Sequence, residues 1–206
     1  MAKHSANKFT NPWGGVIKLS PVHIEAVKLF NNIRKYGGPN AACEITFGVP
    51  LDSEATKEKR AEWVFHVTKA LQEKFDEATI KSIRYGCHCN EDGKLEESRQ
   101  RIKGVYESCN SMEDFVSRMN QSGSGWYLEN EILFTRYTSC SCPMLEAVEI
   151  MDTKTWCYCT VGYNKAIFES VFGCDIDVEL LKSIKMGHEQ CLMRIVPLGT
   201  VRPIGE

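Results

Sequence analysis

The sequence predicts an α+β protein, with a helical region over residues 1–122 followed by a mixed α/β domain with antiparallel hairpins over residues 123–206, the two forming one compact unit. Three observations predict it. Apolar residues recur at helical spacing through the first half, the chain turns aromatic and β-branched after Gly123-Ser-Gly125, and apolar residues alternate near the C-terminus. With 206 residues and 43% apolar content the chain can bury one substantial core without covalent staples. No internal repeat, low-complexity tract or long linker divides it.

Taken in order, Ser20-Pro21 makes an N-cap and first-turn pair, and Ile24, Val27, Phe30 and Ile33 follow at helical spacing until Gly37-Gly38 stops the run. A second helix is expected from near Ser53, with Ala61, Val64, Val67, Leu71 and Phe75 on its inner side. Thr79 to Tyr85 reads as a third, ending at Gly86 and delivering Cys87-His88-Cys89 just past its C-terminus. Helices over Leu95 to Tyr106 and Ser111 to Asn120 come next, the latter opened by Ser111 with Asp114 three residues on, close to a capping box. Trp126 to Tyr137 predicts strand, with Glu129-Asn130 as turn or bulge. Trp156 to Tyr163 then leads into a helix over Lys165 to Phe172, stopped by Gly173. Ile176, Val178 and Leu180 alternate, as do Cys191, Met193 and Ile195, so a hairpin turning at Met186-Gly187-His188 closes the domain.

Charge narrows the function. Basic and acidic residues number 25 and 27, spread evenly to a net charge of −2, which removes the basic field that nucleic-acid binding uses. The N-terminus has no apolar run like a signal peptide, and no apolar stretch approaches the ~20 residues of a membrane span. A cytoplasmic protein is expected, with a small-molecule ligand or substrate as partner, no nucleic acid and no membrane. A homodimer is left open.

Ten cysteines, several times ordinary usage, include three Cys-x-Cys pairs: Cys87/Cys89, Cys140/Cys142 and Cys157/Cys159, with Cys191 beyond them. On an extended strand residues i and i+2 share a face, so each pair would present two soft donors together. Zinc takes four tetrahedral Cys or His ligands, and Cys140, Cys142, Cys157, Cys159 and Cys191 are the candidate set. Cys157 and Cys159 also open a helix, whose N-terminal partial charge favours thiolate and marks either as a nucleophile. Thiol exchange is an alternative, because a disulfide across Cys-x-Cys closes a strained, easily reduced ring. Cys43, Cys109 and Cys174 stand alone and are expected as small buried hydrophobes.

Around these sulfurs His188 and Glu189 are candidate proton carriers, with His88, Glu146, Glu149 and Glu179 as further acid–base groups. His23 and His66 fall within predicted helices and are expected to pack. Trp126, Trp156 and Tyr163, with Tyr127 and Tyr158, are candidates to line an apolar ligand pocket.

From about Cys140 to Ile195 the chain resembles the 4-vinyl reductase domain and the related family of L-2-amino-thiazoline-4-carboxylic acid hydrolases. The residues that carry this are Cys157-Tyr-Cys159, Gly162-Tyr163 leading a helix to Phe172-Gly173, and Ser183-Ile-Lys-Met-Gly187-His-Glu-Gln-Cys191-Leu-Met-Arg-Ile195. Such domains carry a Cys, a Gly four residues on and a second Cys four further, the two cysteines resembling zinc ligands helped by an earlier Cys and an acidic residue. The resemblance implies Cys191 as final ligand and Cys157 or Cys159 as the early one. Ser183 stands where the middle cysteine belongs, a departure that Cys140, Cys142 or Glu179 would have to make good. Two functions follow as expectations. The first is a hydrolase-like enzyme acting on a small heterocycle or amide through Cys157 or Cys159, with His188 or Glu189 moving protons. The second is a non-catalytic sensor or carrier of a small ligand, built on a zinc or thiol site.

Overall fold

The computed structural model describes residues 22–87 and 93–205, together with the backbone of two short strands, β1 (Lys8–Thr10) and β2 (Val16–Lys18), which pair antiparallel. The chain is α+β: five helices, a hairpin, a sixth helix and a closing hairpin follow in order.

The helix start expected at Ser20-Pro21 lies outside the described residues. Helix α1 (Ile24–Phe47) is capped by His23, whose Nδ1 accepts the Glu25 N–H at 3.2 Å. Its buried face is Ala26, Leu29, Asn32 and Ile33, while Ile24 and Val27 are 57% and 38% exposed, so the inner stripe is rotated from the expected one. Gly37-Gly38 interrupts the helix without ending it. Gly38 precedes Pro39, where a following proline disfavours helical backbone, and it escapes to φ 75°, ψ 177° before Pro39 opens a further helical stretch.

Helix α2 (Lys57–Lys74) begins after Thr56, whose hydroxyl caps Lys59 N, four residues beyond the expected Ser53. It buries the predicted Ala61, Val64, Val67 and Leu71, and also Trp63. Asp76 caps α3 (Glu77–Tyr85) through Thr79 N at 2.7 Å, and Gly86 ends it. Helix α4 (Lys94–Glu107) matches expectation to one residue at each end. Ser111 caps α5 (Met112–Gln121) through Asp114 N, but the Asp114 carboxylate accepts from Asn110 N, so the reciprocal half of the capping box is shifted by one residue.

The sheet runs β3-β4-β6-β5 and is antiparallel throughout: β3 (Tyr127–Glu129), β4 (Ile132–Tyr137), β5 (Ile176–Lys182) and β6 (Cys191–Pro197). The first hairpin turns at Asn130-Glu131, both at positive φ, one residue beyond the expected Glu129-Asn130. Along β5 buried and exposed residues alternate as predicted, with Ile176, Val178 and Leu180 inward. Gly187, left-handed at φ 81°, closes the turn into β6.

Helix α6 (Tyr158–Phe172) starts seven residues before the expected Lys165 and ends at Gly173 with φ 69°. It packs against β5 and β6 on one side and α3 and α4 on the other, so it is buried on most of its circumference and shows no single apolar stripe. One apolar cluster runs from Ala26 on α1 to Ile195 on β6. A close backbone approach supports it at Gly162, where a Cβ would lie 2.4 Å from both Cα and the carbonyl oxygen of Tyr85. Those are backbone atoms that cannot turn aside. Gly162→Ala should therefore push α6 off the end of α3 and cost about 2–4 kcal/mol in a urea melt, whereas Gly104→Ala on α4, with open space around it, should cost nothing.

Candidate functional site

At one end of the sheet β4 and β5 finish, β6 begins and the N-terminus of α6 arrives. Between them lies a cavity of about 340 Å³. Cys140 and Cys142 enter from the loop after β4, Cys157 and Cys159 from the start of α6, and Cys191 from the first position of β6, paired with Tyr137. All five cysteines of the candidate set line this space. Aromatic and aliphatic walls come from Tyr137, Leu145, Trp156, Tyr163, Leu180 and Met193.

The local chain explains the placement. Strand β4 ends at Tyr137, and Pro143, without an N–H, opens a single 3-10 turn that carries Leu145 into the core. A second 3-10 turn, Thr155–Cys157, runs straight into α6 and buries Trp156 completely. Trp156 meets Trp63 of α2 edge-on at 5.7 Å, and its buried indole N–H has no acceptor among the described residues.

Ser183, fully buried where the resemblance expects a zinc-binding cysteine, holds its Oγ 3.3 Å from Cys157 Sγ and accepts the Lys185 N–H at 3.2 Å. Cys191 Sγ accepts the Ile184 N–H at 3.5 Å. Among the described residues no three His, Cys, Asp or Glu side chains are gathered to hold a metal ion. The thiols line the cavity without forming a ligand cage.

Electrostatics run opposite to the expected activation. Burial pushes the Cys157 thiol up to about 12; the hydrogen bond from Ser183 only partly offsets this, and the nearby sulfurs of Cys159, Cys191 and Cys140 add to it. Burial raises Cys140 as well. A helix terminus supplies only half a charge, and here the preceding 3-10 turn already employs the Cys157 N–H, which donates to Lys154 O at 2.8 Å. Desolvation wins.

The remaining candidates are placed as follows. His188 and Glu189 are exposed on the β5–β6 turn and do not line the cavity; His188 Nδ1 lies 3.1 Å from Ser183 O, bracing the turn. Glu146 pairs with Arg60 and Glu179 with Arg194, both away from the cavity. Trp126 packs on Phe115 and Phe168 and borders a neighbouring cavity instead. Cys87 is buried behind α3, donating to Ile83 O, with its thiol raised by burial to about 11. His88 and Cys89 lie outside the described residues. Cys109 is buried and Cys174 half-buried, but Cys43 is exposed, against expectation. The sequence reading missed Tyr137, Leu180 and Met193 as cavity walls, although each sits at the sheet end its own alternation points to.

A raised thiol pKa fixes the sign of two responses. The protonated form of Cys157 favours the fold, so its contribution is intact below about 9 and lost as pH climbs toward about 12. Iodoacetamide at pH 8, followed by mass spectrometry, should label exposed Cys43 rapidly and Cys157 at least about 100-fold more slowly. The Cys157 rate should rise close to tenfold per pH unit above that.

No curated protein matches the sequence. Among solved structures, trafficking protein particle complex subunit 3 from Naegleria fowleri, covalently bound to palmitic acid, is similar at a TM-score of 0.43 with 14% identity, over 71% of this chain and 97% of that one. Residues 21–202 match the model of a family of unknown function, DUF6144, and the chain belongs to that family.

Proposed function

We propose that the protein binds a small, predominantly apolar molecule in the thiol-lined cavity and does so without turning it over. The observation that carries this reading is the combination of five cysteines with Trp156, Tyr137, Tyr163, Leu180 and Met193 around one space, where the Cys157 and Cys140 thiols are shifted toward their neutral form. Neutral thiols behave as small, polarisable, weakly hydrogen-bonding surface, close to methionine in character. A cavity of about 340 Å³ suits a ligand of that kind.

Hydrolysis of a heterocycle asks for more. Cys157 would have to ionise from about 12, and a proton carrier would have to stand at the cavity wall, where neither His188 nor Glu189 is found. Zinc would have to draw three or more sulfurs inward and release their protons. Binding needs neither change. All nine described cysteines are free thiols. Among the described residues no helix is long and apolar enough to cross a membrane.

N-phenyl-1-naphthylamine, a neutral apolar fluorophore, tests the cavity directly. The protein should bind it with a Kd on the order of 10 µM, and Cys142→Trp, which places an indole in the space from a half-buried loop position, should abolish binding with the melting temperature retained. Cys43→Ser should change nothing. Ring opening of a thiazoline carboxylate that disappears in Cys157→Ser would replace this reading with the hydrolytic one.

A further inference from the structure

A second cavity, of about 500 Å³, adjoins the first and shares four wall residues with it: Tyr137, Ser139, Ser141 and Tyr163. Its chemistry is different. The two charged side chains that line it are both arginines, Arg101 from α4 and Arg136 from β4, and no Asp or Glu is among its described lining residues. Neither arginine makes an ion pair with another described residue. In a chain of nearly balanced charge, two guanidiniums facing one space without a carboxylate are unusual.

The surrounding chain makes room for them. Gly125, at φ 68°, lies against the Arg136 guanidinium so closely that a Cβ would be 3.2 Å from its Nε. The serines at 122, 124, 139 and 141 add hydroxyls to the lining. Guanidinium forks with nearby hydroxyls suit an oxyanion such as a carboxylate or sulfonate.

We infer that the ligand is an amphipathic anion, whose apolar body occupies the thiol-lined cavity and whose carboxylate-like group reaches past Tyr137 and Tyr163 to Arg101 and Arg136. This rests on the binding reading above and specifies the ligand class. The ionic end is near solvent, since both arginines are exposed. Its contribution is therefore screened by salt.

Two probes that differ by one group decide it: N-phenyl-1-naphthylamine and 8-anilinonaphthalene-1-sulfonate, the same ring system without and with an anion. At low ionic strength the sulfonate should bind about tenfold more tightly than the neutral probe, and the preference should shrink in high salt. The double variant Arg101→Gln, Arg136→Gln should erase the preference and leave the affinity for the neutral probe in place. Equal affinity of the two probes, or a preference that survives the double variant, overturns the inference while leaving the cavity reading intact. Sulfonate binding that persists in Cys142→Trp overturns it too, because the probe then sits elsewhere. If neither probe binds, the underlying reading of the cavity fails.

Discussion

A guanidinium with no solvent exposure sits where three helices meet, and the back wall of the cavity is built around it. Arg84, at the end of α3, lies 3.9 Å over the ring of Trp156 and donates to the Trp156 carbonyl at 3.1 Å. The other face of the junction is Trp63 from α2. A buried cation left uncompensated costs several kcal/mol, so the ring and carbonyl that receive it are held firmly in place. Glu25 of α1, 4% exposed, lies within electrostatic reach; burial raises its pKa, and Arg84 and then Lys28 pull it back. Arg84 thus ties α3 to the turn that opens α6, with Glu25 of α1 within its field and Trp63 of α2 against the same indole. The start of α6 carries Cys157 and Cys159, so their position is inherited from Arg84.

That placement bears on the Cys157 thiol, whose pKa burial raises. A helix N-terminus activates a thiol when its amides are free and water is near. The 3-10 turn before α6 uses the first amide, and burial around Cys157 raises the cost of charging its thiol.

Much of the architecture was legible because local chemistry and tertiary packing agree. Ser111 before α5, Gly173 after α6 and the alternation in β5 each carry their own stop, start or face signal. The meeting of the cysteines was legible too, though not for the reason of strand geometry: Cys157 and Cys159 stand at the start of a helix, and the fold, not an extended backbone, turns both to the cavity. What could not be read was set by distant partners. Ile24 and Val27 have helical spacing, yet the buried face is rotated toward Ala26, Leu29 and Ile33, because α3 and the Arg84 junction lie on that side. Arg84 itself has no sequence signal, since an arginine on a short helix is ordinarily solvated. Nor do Arg101 and Arg136, which are separated in the chain and border one space only in the folded molecule.

The boundary between the two cavities is fixed by hydrogen bonds, and this decides how a ligand would be read. Tyr137 donates its hydroxyl to Asn164 Oδ1 at 3.2 Å, Asn164 in turn donates to Thr160 O at 2.9 Å, and Tyr163 is tied to Ser98 on α4 at 2.9 Å. Asn164 is 1% exposed, so its amide is an interior anchor and not an adjustable contact. With both tyrosine hydroxyls engaged, the rings offer their apolar faces to whatever lies between the cavities and keep the sulfur-rich end apart from the arginine end. A wall held this way costs little to order, so under the proposed binding discrimination would fall on the length and polarity of the ligand more than on rearrangement of the protein. The separation of soft from cationic surface is therefore a property of the folded chain before any ligand arrives, and it rests on the register that sets Tyr137 opposite Cys191.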